Sequence, residues 1–298
     1  MERLVSVLVA ALVWAQEPSK PKPAAPPVEF VCPMDRDVRQ LGPGTCRRCG
    51  MRLVANLGEP EEYQLDLATT PRAPRPGTTT MLEFRVRHPK TGQLIRDFEL
   101  VHERIFHAFL ISQDLVFFIH AHPDRTPDGG FKLPVVLPGP GLYRVIADFY
   151  PTNGTPQFIA RTLIPAGARL DRPVALAADT SPQRGANLTV ELVTEPKQPI
   201  AGQETLLFFR PNPASGLEPY LAAWGHMLIA SADLIDLVHD HPLYVDGVPP
   251  PDFQKPHPSQ IQFNVIFPRE TTYRVWVQFQ REGVLNTVGF NVAVKALR

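Results

Sequence analysis

The sequence predicts a mainly β protein: a small metal-held cysteine module followed by two repeated β-sandwich domains of immunoglobulin-like size. Three observations predict this. Segments such as Met81–Val86, Leu142–Phe149 and Thr189–Val193 alternate or run apolar, are rich in β-branched and aromatic residues, and end at Pro, Gly or Asn. The second half of the chain repeats the first. All three cysteines lie between residues 29 and 55, too few and too close for a disulfide framework.

Composition sets the outer limits. The chain has 298 residues, 44% of them hydrophobic, which is enough for two domains with cores of their own. Its formal net charge is +0, so it carries no basic footprint for nucleic acid and no polybasic membrane anchor. There are 34 prolines, more than twice the usual share of about 5%, and this favours turns and strands over helix bundles.

The first element expected is a signal peptide over residues 1–15. Arg3 and the amino terminus supply positive charge, Leu4–Leu12 is apolar apart from Ser6, and Val13 and Ala15 are small enough for cleavage before Gln16. The apolar run is short for a membrane span, so the mature protein is read as periplasmic or secreted, with no span after cleavage. Residues 16–28 are a proline-rich linker that favours polyproline II and buries nothing.

Residues 29–57 form the cysteine module. Cys46 and Cys49 make a C-x2-C followed by Gly50, a spacing that lets two thiolates grip one ion around a tight turn. Cys32 comes earlier, with Met34 and Asp35 after it, and Met51 follows Gly50. A segment this short has too little core to fold by burial alone, so a metal supplies the folding energy. The run of Cys32-Pro-Met followed by Pro43-Gly-Thr-Cys46-Arg-Arg-Cys49-Gly-Met51-Arg-Leu resembles the small heavy-metal-binding domain of periplasmic copper and silver efflux adaptors and of some metal-pumping ATPases. The resemblance covers about 25 residues, under a tenth of the chain, and implies that Cys32, Cys46 and Cys49 are ligands. It also implies a metal-efflux or metal-accepting partner. The chain departs from the family in one place: Asp35 stands where the family has His. Two completions of the site stay open. Asp35 as an oxygen ligand favours zinc, while Met34 or Met51 as a thioether ligand favours Cu(I). Packing around the site is an equal role for both methionines.

The first sandwich is expected over 58–166, a linker over 167–186 and the second sandwich over 187–298. Thr70–Phe84 parallels Thr194–Phe208, and Tyr143–Phe149 parallels Tyr273–Phe279. His107–Pro123 parallels His226–Pro242 without a gap. Each copy is roughly 100 residues with many short strands, the pattern of an immunoglobulin-like sandwich.

The repeat carries the second candidate site. Six of the 9 histidines fall at matched positions: His107, His120 and His122 in one copy, His226, His239 and His241 in the other. Residues i and i+2 on a strand face one side, so His120 and His122 share a face, as do His239 and His241. Ser112–Asp114 and Ser231–Asp233 read as turns. A hairpin centred near position 113 sets His107 opposite His120, and one centred near 232 sets His226 opposite His239. Opposed residues lie about 4.5–5.5 Å apart at Cβ, so three imidazoles converge in each copy. Such sites suit copper or zinc ions.

Other side chains are candidates for a fourth ligand. Met227 and Asp240 point away from their triads by strand parity. His257 lies in a loop, and Asp124 and Asp128 read equally well as turn caps. His88 and His102 have no counterpart in the repeat and read as surface residues.

These readings give an exported heavy-metal-binding protein that buffers, sequesters or transfers copper or zinc, and no enzyme. The alternatives are an interaction scaffold with one structural zinc and a cupin-like metal enzyme. The His-x-His pairs resemble a cupin metal site, but the Glu and the later His of that pattern do not appear at the expected places. No nucleophile elbow, phosphate loop or dinucleotide fingerprint is present in the sequence.

Overall fold

The computed structural model describes residues 29–32, 38–48, 50–56, 61–168, 175–242 and 258–297. The expected signal peptide, the proline-rich linker, Met34, Asp35, Cys49, His257 and part of the expected interdomain linker lie outside the described residues. Among the described residues the protein is all β, and no helix is long and apolar enough to cross a membrane.

The cysteine module is a three-stranded antiparallel sheet of β1 (Glu29–Val31), β2 (Arg39–Leu41) and β3 (Val54–Asn56), with β1 in the centre. Its small core gathers Cys32, Val38, Cys46 and Leu53, with Phe30 and Met51 packed against it.

The first sandwich contains β4 (Gln64–Thr70), β5 (Thr79–Arg87), β6 (Phe106–Ser112), β7 (Phe118–Ala121), β8 (Asp124–Arg125), β9 (Phe131–Val136), β10 (Tyr143–Phe149) and β11 (Gln157–Leu163). One sheet runs β4-β5-β9-β8 and the other β11-β10-β6-β7. The second contains β12 (Gln183–Arg184), β13 (Thr189–Glu195), β14 (Glu204–Asn212), β15 (Leu217–Glu218), β16 (His226–Ser231), β17 (Leu237–Asp240), β18 (Ile261–Ile266), β19 (Thr272–Arg281) and β20 (Val284–Ala293). Its sheets are β12-β13-β14-β18 and a sheet in which β19 joins β16, β15 and β20, with β17 beside β16. The equivalent strands of the two halves pair in the same way, so the repeat read from sequence is a repeat of architecture.

Strand alternation places each core. Along β5 and β9, buried and more exposed residues alternate with period two. The inward residues, among them Phe84, Phe106, Phe131 and Phe149, fill the first sandwich. Phe209, Phe263, Phe279 and Phe290 fill the second. A tyrosine locks the same corner in each copy. Tyr143 Oη donates to the Gly139 carbonyl at 2.7 Å, and Tyr273 Oη to the Arg269 carbonyl at 3.2 Å. Burial raises both phenols, that of Tyr273 to about 12.

The second sandwich begins earlier than the expected residue 187. Asp179 pairs its backbone with Asn291, and β12 pairs with β13. The polar composition of residues 179–186 reads as a linker, but main-chain pairing on a sheet edge needs no apolar side chains.

β6 and β16 break the alternation, since every residue in each is buried. Both faces of these strands are therefore covered. One face joins the sandwich core. The other meets its equivalent from the second half: Phe109, Ile111, Leu115 and Ile146 pack with Leu228, Ala230, Leu234 and Trp276 in a third apolar cluster. The two sandwiches dock outer sheet against outer sheet, and the histidines sit on that shared face.

Candidate metal centre

The hairpins β6–β7 and β16–β17 place the triads. Each turns through a Ser-x-Asp loop. Ser231 Oγ donates to Asp233 Oδ1 at 2.6 Å and accepts from the Asp236 amide at 2.9 Å. Ser112, Asp114 and Phe117 repeat the arrangement. Leu115 and Leu234 adopt positive φ at 59° and 58°, and both bury their side chains in the interdomain cluster. That burial offsets the cost of a left-handed backbone in a residue with a Cβ.

The loops are longer than the expected turn, and the register shifts by two residues. Phe109 pairs with His120 and Leu228 with His239, where His107 and His226 were expected. The opposing pairs Ala108–Ala121 and Met227–Asp240 bring His107 beside His122 and His226 beside His241. A shift of two preserves the face, so all three imidazoles of each triad still converge. Each residue offers one ligand atom, and within each triad these atoms lie within 4.8 Å of one another.

The proton positions follow from the acceptors. His107 Nε2 donates to the Val101 carbonyl at 3.0 Å. A neutral imidazole has one N–H, so His107 Nδ1 carries a lone pair, and it lies 3.3 Å from His120 Nε2. His120 Nδ1 is hydrogen-bonded to the Gln278 side-chain amide at 2.8 Å. His122 Nε2 is buried beside them without a partner. In the second triad His226 Nε2 donates to the Tyr220 carbonyl at 2.7 Å, so its Nδ1 accepts from His241 Nε2 at 2.9 Å. That leaves His241 Nδ1 as a buried lone pair without a partner. His239 Nδ1 pairs with Asp148 Oδ2 at 2.6 Å, and its Nε2 is also buried and unpartnered.

Burial disfavours the charged form of five of the six triad imidazoles. It lowers His107 to about 4 and His122 to about 3, and it holds His120, His226 and His241 well below the ordinary histidine range. Neighbouring imidazoles push most of them in the same direction, since protonating one opposes protonating the next. Neutral imidazole is the ligand form.

The triads are not separate. His120 lies 5.5 Å from His226 and 5.9 Å from His239 between ring centroids, and His107 lies 6.0 Å from His239. His102, expected at the surface, is buried in the same cluster. It stacks on His241 with centroids 3.6 Å apart and donates from Nδ1 to the Leu221 carbonyl at 3.2 Å, leaving Nε2 unpartnered. It was missed because position 102 reads as a polar turn. Residues 101–104 are such a turn, with positive φ at His102 and Glu103, but His102 itself is covered by the other sandwich. The available signal was the apolar run Ala108–Ile111, which marks a strand buried on both faces.

The other candidates separate cleanly. Met227 is in the core of the second sandwich. Asp128 caps its turn through Thr126 and pairs with Arg85. His88 lies beside Tyr63 at 5.7 Å, away from the triads. Among the described residues, each triad has three members of ligand type, which leaves a further position for water or a substrate ligand on any bound ion.

In the cysteine module Cys32 and Cys46 are both buried. Cys46 sits in a turn closed by bonds from its amide to Met51 (2.7 Å) and from the Gly50 amide to its own carbonyl (2.8 Å). The turn needs the positive φ of 73° at Gly50. The Arg48 amide points at Cys46 Sγ across 3.4 Å, which favours a thiolate. Met51 packs against this small core.

A family model described as "Domain of unknown function (DUF8832)" matches residues 59–164 and 179–296, one segment for each sandwich. The chain belongs to this family. DUF8832 thus covers both halves of the repeat and both histidine triads. No curated protein matches the chain. Among solved structures, an Escherichia coli adhesin, FdeC, is 15% identical, covering 82% of this chain and 68% of its own, with a TM-score of 0.26. A red sea bream transglutaminase is 14% identical over 79% of this chain and 32% of its own, with a TM-score of 0.21. A titin fragment is 12% identical over 80% of this chain and 98% of its own, with a TM-score of 0.21.

Proposed function

We propose that this DUF8832 chain is an exported metal-binding protein that buffers, sequesters or passes on copper or zinc. The interdomain histidine triads would be its main sites and the cysteine module a further one. The observation that carries the reading is the convergence of three ring nitrogens within 4.8 Å in each triad, with His122 Nε2, His239 Nε2 and His241 Nδ1 buried and without a hydrogen-bond partner. A buried polar atom left unpaired is costly, and a metal ion turns its lone pair into a ligand. An oxygen acceptor on the far ring nitrogen is also the usual outer partner of a metal-bound histidine. Imidazole donors suit Cu(II) and Zn(II), whereas the thiolates of Cys32, Cys46 and Cys49 suit Cu(I) or zinc. The periplasmic or secreted setting and the efflux-type partner rest on the leader pattern and on the resemblance at residues 29–55.

The experiment is metal stoichiometry on the purified full chain after equilibration with zinc and with copper. Wild type is run beside His120→Ala/His122→Ala and His239→Ala/His241→Ala. The expected result is up to three equivalents in wild type and a loss of about one in each variant. The same single equivalent in all three proteins would overturn the reading, and leave a β-sandwich scaffold with one cysteine-bound ion.

A further inference from the structure

Asp148 and Gln278 hold the same place in the repeat. Asp148 pairs with His107 across β10 and β6, and Gln278 pairs with His226 across β19 and β16. Each nevertheless reaches over the domain boundary. Asp148 Oδ2 is hydrogen-bonded to Nδ1 of His239 in the second sandwich at 2.6 Å, and the Gln278 side-chain amide to Nδ1 of His120 in the first at 2.8 Å. The other branch of the Gln278 amide is held by Thr287, with Nε2 and Oγ1 3.0 Å apart. An acceptor on the far nitrogen fixes the ring and raises the basicity of the nitrogen left to the metal, and a carboxylate does so more than an amide. The equivalence of the two positions is thus architectural but not electrical.

We propose that the two triads form one interdomain pair of metal sites of unequal strength, with Asp148 and Gln278 as crossed positioning residues. Each sandwich orients a ligand of the other's metal, and the triad of His226, His239 and His241 is the tighter because His239 is backed by a carboxylate. Two cations held this close also repel in a buried site, so filling the tighter triad weakens the other. The proposal rests on the metal-binding reading above and adds to it which triad loads first and which residues decide that.

Zinc binding to full-length chains with one intact triad tests it. In a His120→Ala/His122→Ala background only the second triad remains. There Asp148→Asn is expected to weaken zinc binding by about 10- to 100-fold. In a His239→Ala/His241→Ala background the same substitution has a much smaller effect, while Gln278→Ala weakens binding and Gln278→Glu tightens it. The melting temperature of each zinc-free variant is measured alongside, and a merely structural role would move that temperature without the tightening by Gln278→Glu. If each substitution acts on the triad of its own sandwich, or Asp148→Asn leaves the second triad unchanged while zinc still binds, the crossed arrangement is wrong. If the unsubstituted chain takes up no zinc at its histidines, the functional reading itself falls, which is a different result.

Discussion

Phe118 of the first sandwich and Trp276 of the second stack face to face across the domain boundary, with ring centroids 5.1 Å apart and planes 17° from parallel. The contact belongs to an apolar cluster drawn from both halves of the chain. It borders the histidine cluster: Phe109, in the same cluster as Trp276, stacks on His120 at 4.3 Å and meets His239 edge-on at 4.7 Å. Packing between the sandwiches and the geometry of the triads are therefore parts of one interface.

The first prediction follows from that interface. Trp276 is 3% exposed, and truncating a buried aromatic costs about 3–5 kcal/mol. Trp276→Ala should destabilise the chain by that order. It should also weaken metal binding at both triads, although Trp276 touches metal at neither. Chemical denaturation and zinc titration of the variant check this. Loss of stability with full metal affinity would show that the triads do not depend on docking.

Acid supplies the second. Burial lowers the folded pKa of His102 to about 3, of His107 to about 4 and of His122 to about 3, against an ordinary value of 6.5. Below about 6.5 the unfolded chain therefore binds protons that the folded chain refuses. Stability of the metal-free protein is full above pH 6.5 and falls as the pH drops toward about 3. At pH 5 the loss amounts to as much as about 2 kcal/mol for each fully buried imidazole. Denaturant midpoints for metal-free protein at pH 7.5 and pH 5 measure it, and equal midpoints would mean that the imidazoles are hydrated.

The sequence made the repeat, the sandwich pattern and the convergence of each triad legible because all three depend on strand parity. His107, His120 and His122 share a face whichever even register the hairpin takes. Register was not legible to two residues, because Leu115 and Leu234 take a left-handed backbone that leucine composition does not announce. The meeting of the two triads was hidden for another reason. It depends on which outer faces dock, and the signal for that was the apolar run Ala108–Ile111 in β6 and Met227–Ala230 in β16, not a motif. His102 went with it, since its burial is supplied by the other sandwich.

The matched tyrosines yield a third prediction. Tyr143 Oη bonds only within its corner to Gly139, whereas Tyr273 Oη reaches Arg269 and also Asp236 at 3.2 Å. Each hydrogen bond is worth about 0.5–1.5 kcal/mol net, and somewhat more to a charged group. A phenol has one proton, which Tyr273 Oη divides between two acceptors at 3.2 Å, so Tyr273→Phe and Tyr143→Phe should each cost about 0.5–1.5 kcal/mol. Thermal or denaturant unfolding of the two variants decides it, and neither should change metal stoichiometry. A loss at Tyr273 clearly above that at Tyr143 would show that the Asp236 contact adds stability of its own.

The fourth prediction opposes stability to binding at a single residue. His122 Nε2 is buried with no hydrogen-bond partner, and its pKa is held near 3 chiefly by burial. A buried polar atom left unpaired costs about 1–3 kcal/mol, so His122→Leu should leave the metal-free chain unchanged or stabilise it by about 1 kcal/mol. The same substitution removes one of three donors and should abolish tight binding at the first triad. If His122 were an ordinary structural histidine the signs would reverse, with stability lost and metal uptake unchanged. Melting temperatures measured with and without zinc on the one variant separate the two cases. A ligand histidine retained against its cost to the fold gives a higher metal-free melting temperature and a smaller rise on adding zinc.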